Sequence, residues 1–206
     1  MIIVEILLTL LIGYALGNIQ TSYLMGRLLK QIDIREYGSG NAGASNAVMV
    51  LGWKPGLVAG LIDMGKAALA VLLVRVLFPG NVALPHLAGS GAIFGHIYPF
   101  YLGFHGGKGV ASLMGMFFGL NPWWGLLCLS SLIIMALLTD YIEGGSLFIF
   151  AAFPLVTWLL GLPLYCILLA ALLAAICFYK HRGNIHRIFN KTEVTISAEW
   201  QRQKKS

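Results

Sequence analysis

Three stretches of this chain gather the residue types that hold phosphate. The first is "DIREYGSGNAGASN", residues 33–46. Its Gly38, Gly40 and Gly43 allow backbone N–H groups to turn inward as a nest for an anion, and Ser39, Asn41, Ser45 and Asn46 add side-chain donors. The second, "GHIYPFYLGFHGGKG", spans residues 95–109. There Gly106, Gly107 and Gly109 permit close backbone approach, Lys108 supplies a point charge, and the loop opens a helix whose N-terminus favours anions. The third, "HRGNIHRIFNKTE" at 181–193, carries His181, Arg182, Asn184, Arg187 and Glu193. Each stretch alone is modest; the chemistry they share is phosphate binding.

The elements that must position these stretches are membrane helices. Of the 206 residues 58% are hydrophobic and 11% charged, against about 25% charged in soluble domains. Apolar runs near the ~20 residues needed to cross a bilayer recur from end to end. The composition therefore predicts an all-α integral membrane protein of about seven spans, at about 2–29, 56–78, 84–102, 110–120, 123–138, 147–160 and 164–179. Residues 1–193 form one multi-pass domain, and 194–206 a disordered basic tail attracted to anionic lipid. The second half of the first span carries Asn18, Gln20, Thr21 and Ser22, so it faces protein or a wet cavity. The N-terminus has no basic region and no small-residue cleavage site, and reads as a retained span. Cys128, Cys166 and Cys177 lie in apolar runs without metal-ligand spacing, as small buried side chains. No metal site, cofactor or nucleic-acid partner is expected.

Basic residues set the orientation. Arg27, Lys30, Arg35 and Lys54, then Lys108, then Lys180, Arg182, Arg187, Lys191, Arg202, Lys204 and Lys205 all fall on one side of this topology, against Arg75 on the other. The rule that cytoplasmic loops are basic places the C-terminus inside and the N-terminus outside. The glycines at 38, 40 and 43 also spell G-x-G-x-x-G, a dinucleotide fingerprint. That fingerprint needs a preceding strand within a βαβ unit; here apolar helices flank it.

With these three motifs, in this order, the chain resembles the bacterial acyl-phosphate:glycerol-3-phosphate acyltransferases, the PlsY family. That family shows G-S-G-N-x-G-A-T-N, then G-H-x-x-P and K-G-G-K-G, then H-R-x-N-I-x-R-L-x-x-G-x-E. The resemblance covers nearly the whole chain. It implies transfer of a fatty acyl group from acyl phosphate to glycerol 3-phosphate, giving lysophosphatidic acid and phosphate at the cytoplasmic face of a bacterial cell membrane, with membrane lipids around it. The sequence departs from the pattern at Met49, where the family has arginine, at Ser45 for Thr, His105 for Lys, Lys191 for Gly, and "GNIQ" for G-S-I-P in the first span. Loss of the arginine removes a bidentate phosphate contact. It leaves the site to rely on Arg35, Lys108, Arg182 and backbone N–H groups, with Met49 projecting toward the same pocket as Asn46.

The expected roles follow. Ser39 and Asn41 hold the acyl phosphate or the developing oxyanion, and Lys108 contacts phosphate or serves only as a topology signal. His96 orients substrate or is a satisfied buried histidine. Gly38, Gly40, Gly43, Ser45, Asn46, Gly106, Gly107 and Gly109 bind substrate through the two loops. His181, Arg182 and Asn184 bind glycerol phosphate; Arg187 does so too or snorkels to the interface. Glu193 orients a loop, accepts a proton or forms a structural salt bridge. Asp63 and Lys66, three apart, read as a structural pair. Two other readings stay open: a catalytically weakened paralogue that binds acyl phosphate or lipid, and a small transporter, against which stands the lack of an internal repeat.

Overall fold

The first apolar run does not continue as one helix. In the computed structural model, which describes residues 2–198, α1 (Ile2–Gly17) and α2 (Thr21–Lys30) are separated by Asn18–Gln20. Asn18 donates from Nδ2 to Tyr14 O (2.6 Å), and Gln20 donates from Nε2 to His96 O (3.0 Å). Amide side chains compete with the helical ladder for backbone partners, and here they end it. Asn18, Gln20, Thr21 and Ser22 are all buried, as a polar turn at membrane depth requires.

The chain continues through a 3₁₀ turn (Ile34–Glu36), α3 (Ala44–Leu51), α4 (Trp53–Leu77), α5 (Ala83–Ile97), a second 3₁₀ turn (Phe100–Leu102), α6 (Val110–Leu120), α7 (Pro122–Thr139), α8 (Ile142–Leu159), α9 (Leu164–Lys180) and α10 (Arg182–Phe189). Among the described residues there is no strand. Two compact units result, one up to Gly125 and one from Leu126.

In the first unit α5 is the centre. Every residue of it but Phe94 is buried, so a fifteen-residue helix with polar and histidine side chains persists because protein surrounds it. Its seam with α1 is made of small residues in i, i+4 pairs. A methyl group on Gly13 or Gly17 would come within 2.1–2.2 Å of the Ala88 and Ala92 carbonyl oxygens, and one on Gly95 within 2.4 Å of Tyr14 O. Backbones in such contact gain dispersion without a hydrophobic drive, which lipid removes. α4 and α6 meet in the same way, with Gly115 against Met64 O.

In the second unit α8 packs on α9, and Gly145 lies against Leu132 O of α7. α9 and α10 form a pair bent by 54°. Large apolar side chains such as Leu7, Leu11, Val76, Trp123, Leu138 and Leu168 point outward, while Thr9, Ser90 and Thr157 are buried. That distribution is what lipid, rather than water, selects.

Four helical segments are long and apolar enough to cross a membrane, or five if the bent α9–α10 pair is one span. The expected third span ends at Ile97 and not at residue 102, because the chain turns at Pro99. The expected sixth starts at Ile142 rather than 147. The fourth is the short α6, and the loop between the first two spans contains α3. The tail is not wholly loose: Ser197 N donates to Asp140 Oδ1 (2.9 Å), and Ile196 N donates to Asp140 O (2.9 Å). Hydrogen bonds from the Ser197 hydroxyl and the Ser197 backbone N–H hold the Asp140 carboxyl below the usual carboxylate range. Arg202, Lys204 and Lys205 lie outside the described residues.

Candidate active site

The glycine loop at 38–46 is shaped by Asn46 and clamped by Arg35. Asn46 is fully buried on the first turn of α3. It donates to Ile34 O (2.9 Å) and Tyr37 O (3.1 Å) and accepts from Ser39 N (2.7 Å). Gly38, at φ +61°, must lack a side chain, since a methyl group there would lie 2.2 Å from Asn46 Oδ1. The expectation that Asn46 offers its donors to substrate is corrected: they hold the loop. The Ser39 N–H is likewise committed, whereas the Ser39 and Ser45 side chains are exposed and Asn41 is half-buried.

Arg35 is also spent inside the protein. Its Nη2 donates to Asp33 Oδ2 (2.7 Å), its Nε to Asp33 Oδ1 (3.0 Å), and its Nη1 to Leu102 O (2.8 Å). The guanidinium stands 5.5 Å from the centre of the Tyr23 ring. The Arg35 hydrogen bond holds the Asp33 carboxyl below the ordinary carboxylate range, and Asp33 in turn raises Arg35. Arg35 therefore replaces no lost phosphate contact. It ties the first loop to the second.

The second loop folds back on the end of α5. Gly106 N donates to Ile97 O (3.1 Å) and Gly107 N to His96 O (3.0 Å), so these two N–H groups serve the loop's own shape. Close approach is what demands glycine: a methyl on Gly107 would fall 2.0 Å from His96 Nε2. Gly109, at φ +87°, caps α6. Lys108 is half-buried, and His105 is exposed with its Nδ1 against Gly103 O.

His96 itself is 3% exposed and sits in a charge cluster. Lys66 Nζ bonds to Asp63 Oδ1 (2.8 Å), His96 Nδ1 (2.9 Å) and Ile19 O. Thr21 Oγ1 adds a donor to Asp63 Oδ1 (3.0 Å). The i, i+3 spacing foretold the ion pair and not its histidine.

In the second unit, Asn184 Nδ2 donates to Glu143 Oε1 and to Glu193 Oε2, both at 3.1 Å, and Arg187 Nε donates to Glu193 Oε2 (2.9 Å). His181 is buried with Nδ1 at 2.9 Å from Cys177 O. Arg182 is exposed, donates to Tyr179 O (3.0 Å) and stacks over the Tyr179 ring. Glu143 was missed by sequence reasoning. Its only signal was an acidic residue in the first turn of an apolar helix. Met49 is 63% exposed and does not share the buried setting of Asn46.

The model of the family described as glycerol-3-phosphate acyltransferase matches residues 7–191. The chain belongs to that family. A glycerol-3-phosphate acyltransferase of Shouchella clausii is 40% identical, covering 93% of this chain and 96% of its own. One of Chlorobaculum parvum is 37% identical over 88% of this chain and 92% of its own. Two crystal structures of PlsY, an integral membrane glycerol 3-phosphate acyltransferase, are similar throughout. The glycerol 3-phosphate form has TM-score 0.82 at 29% identity, covering 93% of this chain and 95% of its own. The lysophosphatidic acid form has TM-score 0.80 at 28% identity, covering 94% and 96%. Membership makes the chain an acyltransferase of phospholipid synthesis.

Proposed function

We propose that this protein transfers a fatty acyl group from acyl phosphate to glycerol 3-phosphate, releasing lysophosphatidic acid and phosphate at the cytoplasmic face of a bacterial cell membrane, and that residues 1–193 act as one catalytic domain. The observation that carries this reading is the family match across 7–191, which contains all three phosphate-type motifs nearly complete. A hydroxyl oxygen of the acceptor bonds to the acyl carbon, the bond from that carbon to the bridging phosphate oxygen breaks, and the hydroxyl proton leaves on the departing phosphate. The leaving group is good, so positioning and charge stabilisation supply most of the acceleration.

Lys108, Asn41, the Ser39 hydroxyl and His96 hold the donor and the oxygen on which charge develops. Gly40, Gly43 and Gly109 let backbone approach it, with Ser45 beside them. His181, Asn184, Arg187, Glu193 and Arg182 serve the glycerol phosphate. Glu143 and Glu193, both hydrogen-bonded by Asn184, fix the direction of that amide.

The test is turnover of purified protein with radiolabelled glycerol 3-phosphate and palmitoyl phosphate, with and without chelator. Turnover independent of chelator is expected. No product would favour the second reading, a weakened paralogue, which Met49 and His105 support; Met49→Arg then distinguishes the two by restoring turnover and lowering the Michaelis constant for glycerol 3-phosphate. Sidedness is tested by single cysteines at Ser39, Lys108 and Asn184 in a background without the native cysteines. An impermeant thiol reagent should label none of them in intact cells.

A further inference from the structure

Asp140 is a non-glycine residue at φ +60° in the turn between α7 and α8. Aspartate tolerates this left-handed conformation better than most residues, and such a conformation persists where the surroundings fix it. Here the surroundings are the segment that follows α10. Ile196 N donates to Asp140 O (2.9 Å), Ser197 N donates to Asp140 Oδ1 (2.9 Å), and the Ser197 hydroxyl donates to Asp140 Oδ2. Thr195 Oγ1 accepts from Ala198 N (3.1 Å), so the segment is also ordered by its own bonds.

At its other end the same segment is tied to α10. Thr192 N (2.8 Å) and Glu193 N (3.2 Å) both donate to Arg187 O. The backbone is therefore held on both sides of Glu193, whose Oε2 accepts from Arg187 Nε (2.9 Å). A water-facing ion pair holds itself weakly, because two long side chains must be ordered at once. Fixing the chain around Glu193 removes part of that cost. The Arg187 side chain is 45% exposed, and among the described residues its Nη1 and Nη2 have no hydrogen-bond partner. With Nε given to Glu193, the edge formed by Nη1 and Nη2 remains as a two-donor fork for an anion.

We propose that Asp140 and Ser197 form a clasp that positions Glu193 and, through it, the Arg187 guanidinium as a phosphate fork for glycerol 3-phosphate. The clasp is built from residues outside the three motifs, and its Ser197 half lies beyond the family match, which ends at residue 191. The substrate of Arg187 rests on the acyltransferase reading; the clasp itself does not.

The test uses two substitutions in the full-length protein. Asp140→Gly adopts the same backbone conformation without strain but has no carboxylate. Asp140→Asn keeps an acceptor for Ser197 N and offers an amide to the Ser197 hydroxyl. Hydrogen exchange in detergent, followed on a peptide containing Ile196 and Ser197, should show protection in the wild type and in Asp140→Asn, and its loss in Asp140→Gly. Absence of protection in the wild type, or its survival in Asp140→Gly, overturns the clasp whether or not the protein turns over. In steady-state assays Asp140→Gly should raise the Michaelis constant for glycerol 3-phosphate about two- to fivefold, with kcat and the constant for palmitoyl phosphate little changed. Asp140→Asn should restore the wild-type constant. In an Arg187→Gln background, Asp140→Gly should add no further increase, since both act through one contact. A wild-type constant in Asp140→Gly, or additive effects in the double variant, overturns the positioning role. Normal exchange behaviour in a protein that transfers no acyl group sustains the clasp and sinks the acyltransferase reading instead.

Discussion

The cluster around Asp63 in the first unit and the network around Glu193 in the second are built from the same kinds of group and live in opposite dielectric settings. The Asp63 and Lys66 side chains are 1% and 3% exposed, whereas Arg187 is 45% exposed against a Glu193 at 11%. A buried pair exists only because each charge has its partner, and removing one leaves the other uncompensated. A water-facing pair shares its charges with solvent and contributes little to folding. The first arrangement suits a rigid support under the glycine loop at 106–109. In the second, Arg187 can leave Glu193 at small cost, whereas Asn184 is buried and held by two carboxylates.

The largest effect should come from splitting the buried pair. Asp63→Leu leaves the Lys66 ammonium stranded and should cost ~3–5 kcal/mol, lowering the thermal midpoint of the detergent-solubilised protein by about 6–20 °C. The double Asp63→Leu/Lys66→Met variant should regain most of that. If the single variant melts with the wild type, the contrast between the two clusters is false.

Next in size is Lys108→Ala. A lost charge-assisted contact is worth ~1.5–3 kcal/mol, so turnover should fall about ten- to a hundredfold, with the melting temperature and membrane insertion near normal. Retained turnover would reduce Lys108 to a topology signal.

The Arg35 clamp should be sensitive to acid. The folded-state pKa of Asp33 lies below its ordinary value of 3.8, so its contribution is fully present above the unfolded value and is lost as pH falls through the folded one. Proteolysis within 30–46, followed with an acid-active protease, should accelerate below about pH 4. Asp33→Asn should make that segment labile at all pH values. A pH-independent cleavage rate in the wild type would show that the clamp does not organise the loop.

Smallest is Arg187→Gln. It should shift the thermal midpoint by less than about 4 °C, because an exposed ion pair contributes at most ~1 kcal/mol, while raising the Michaelis constant for glycerol 3-phosphate. A large loss of stability would mean that this network is as structural as the one around Asp63.

The sequence by itself determined the class of molecule and, through three short motifs, its family. Long apolar runs with few charges have one stable environment, and the motifs are short runs of glycine, lysine and asparagine in the polar loops between them. Those are local properties: hydropathy and turn chemistry act over a few residues. Even so, the apolar run overran the break at Asn18–Gln20, because the amides that end α1 find their reason at the end of α5 and in the turn after it, about eighty residues away. Only the tertiary structure decided how each polar group is spent. Arg35 and Asn46, chosen from the sequence as ligands for phosphate, are consumed by carbonyls at 102, 34 and 37, whereas Asp63 and Lys66 reach His96. Glu143 meets Asn184 although nothing in the chain between them foretells it. The reason is that a buried donor or acceptor must be satisfied by whatever the packing brings within 3 Å or so. Residue type fixes how many partners a group needs, and the fold chooses which ones it has.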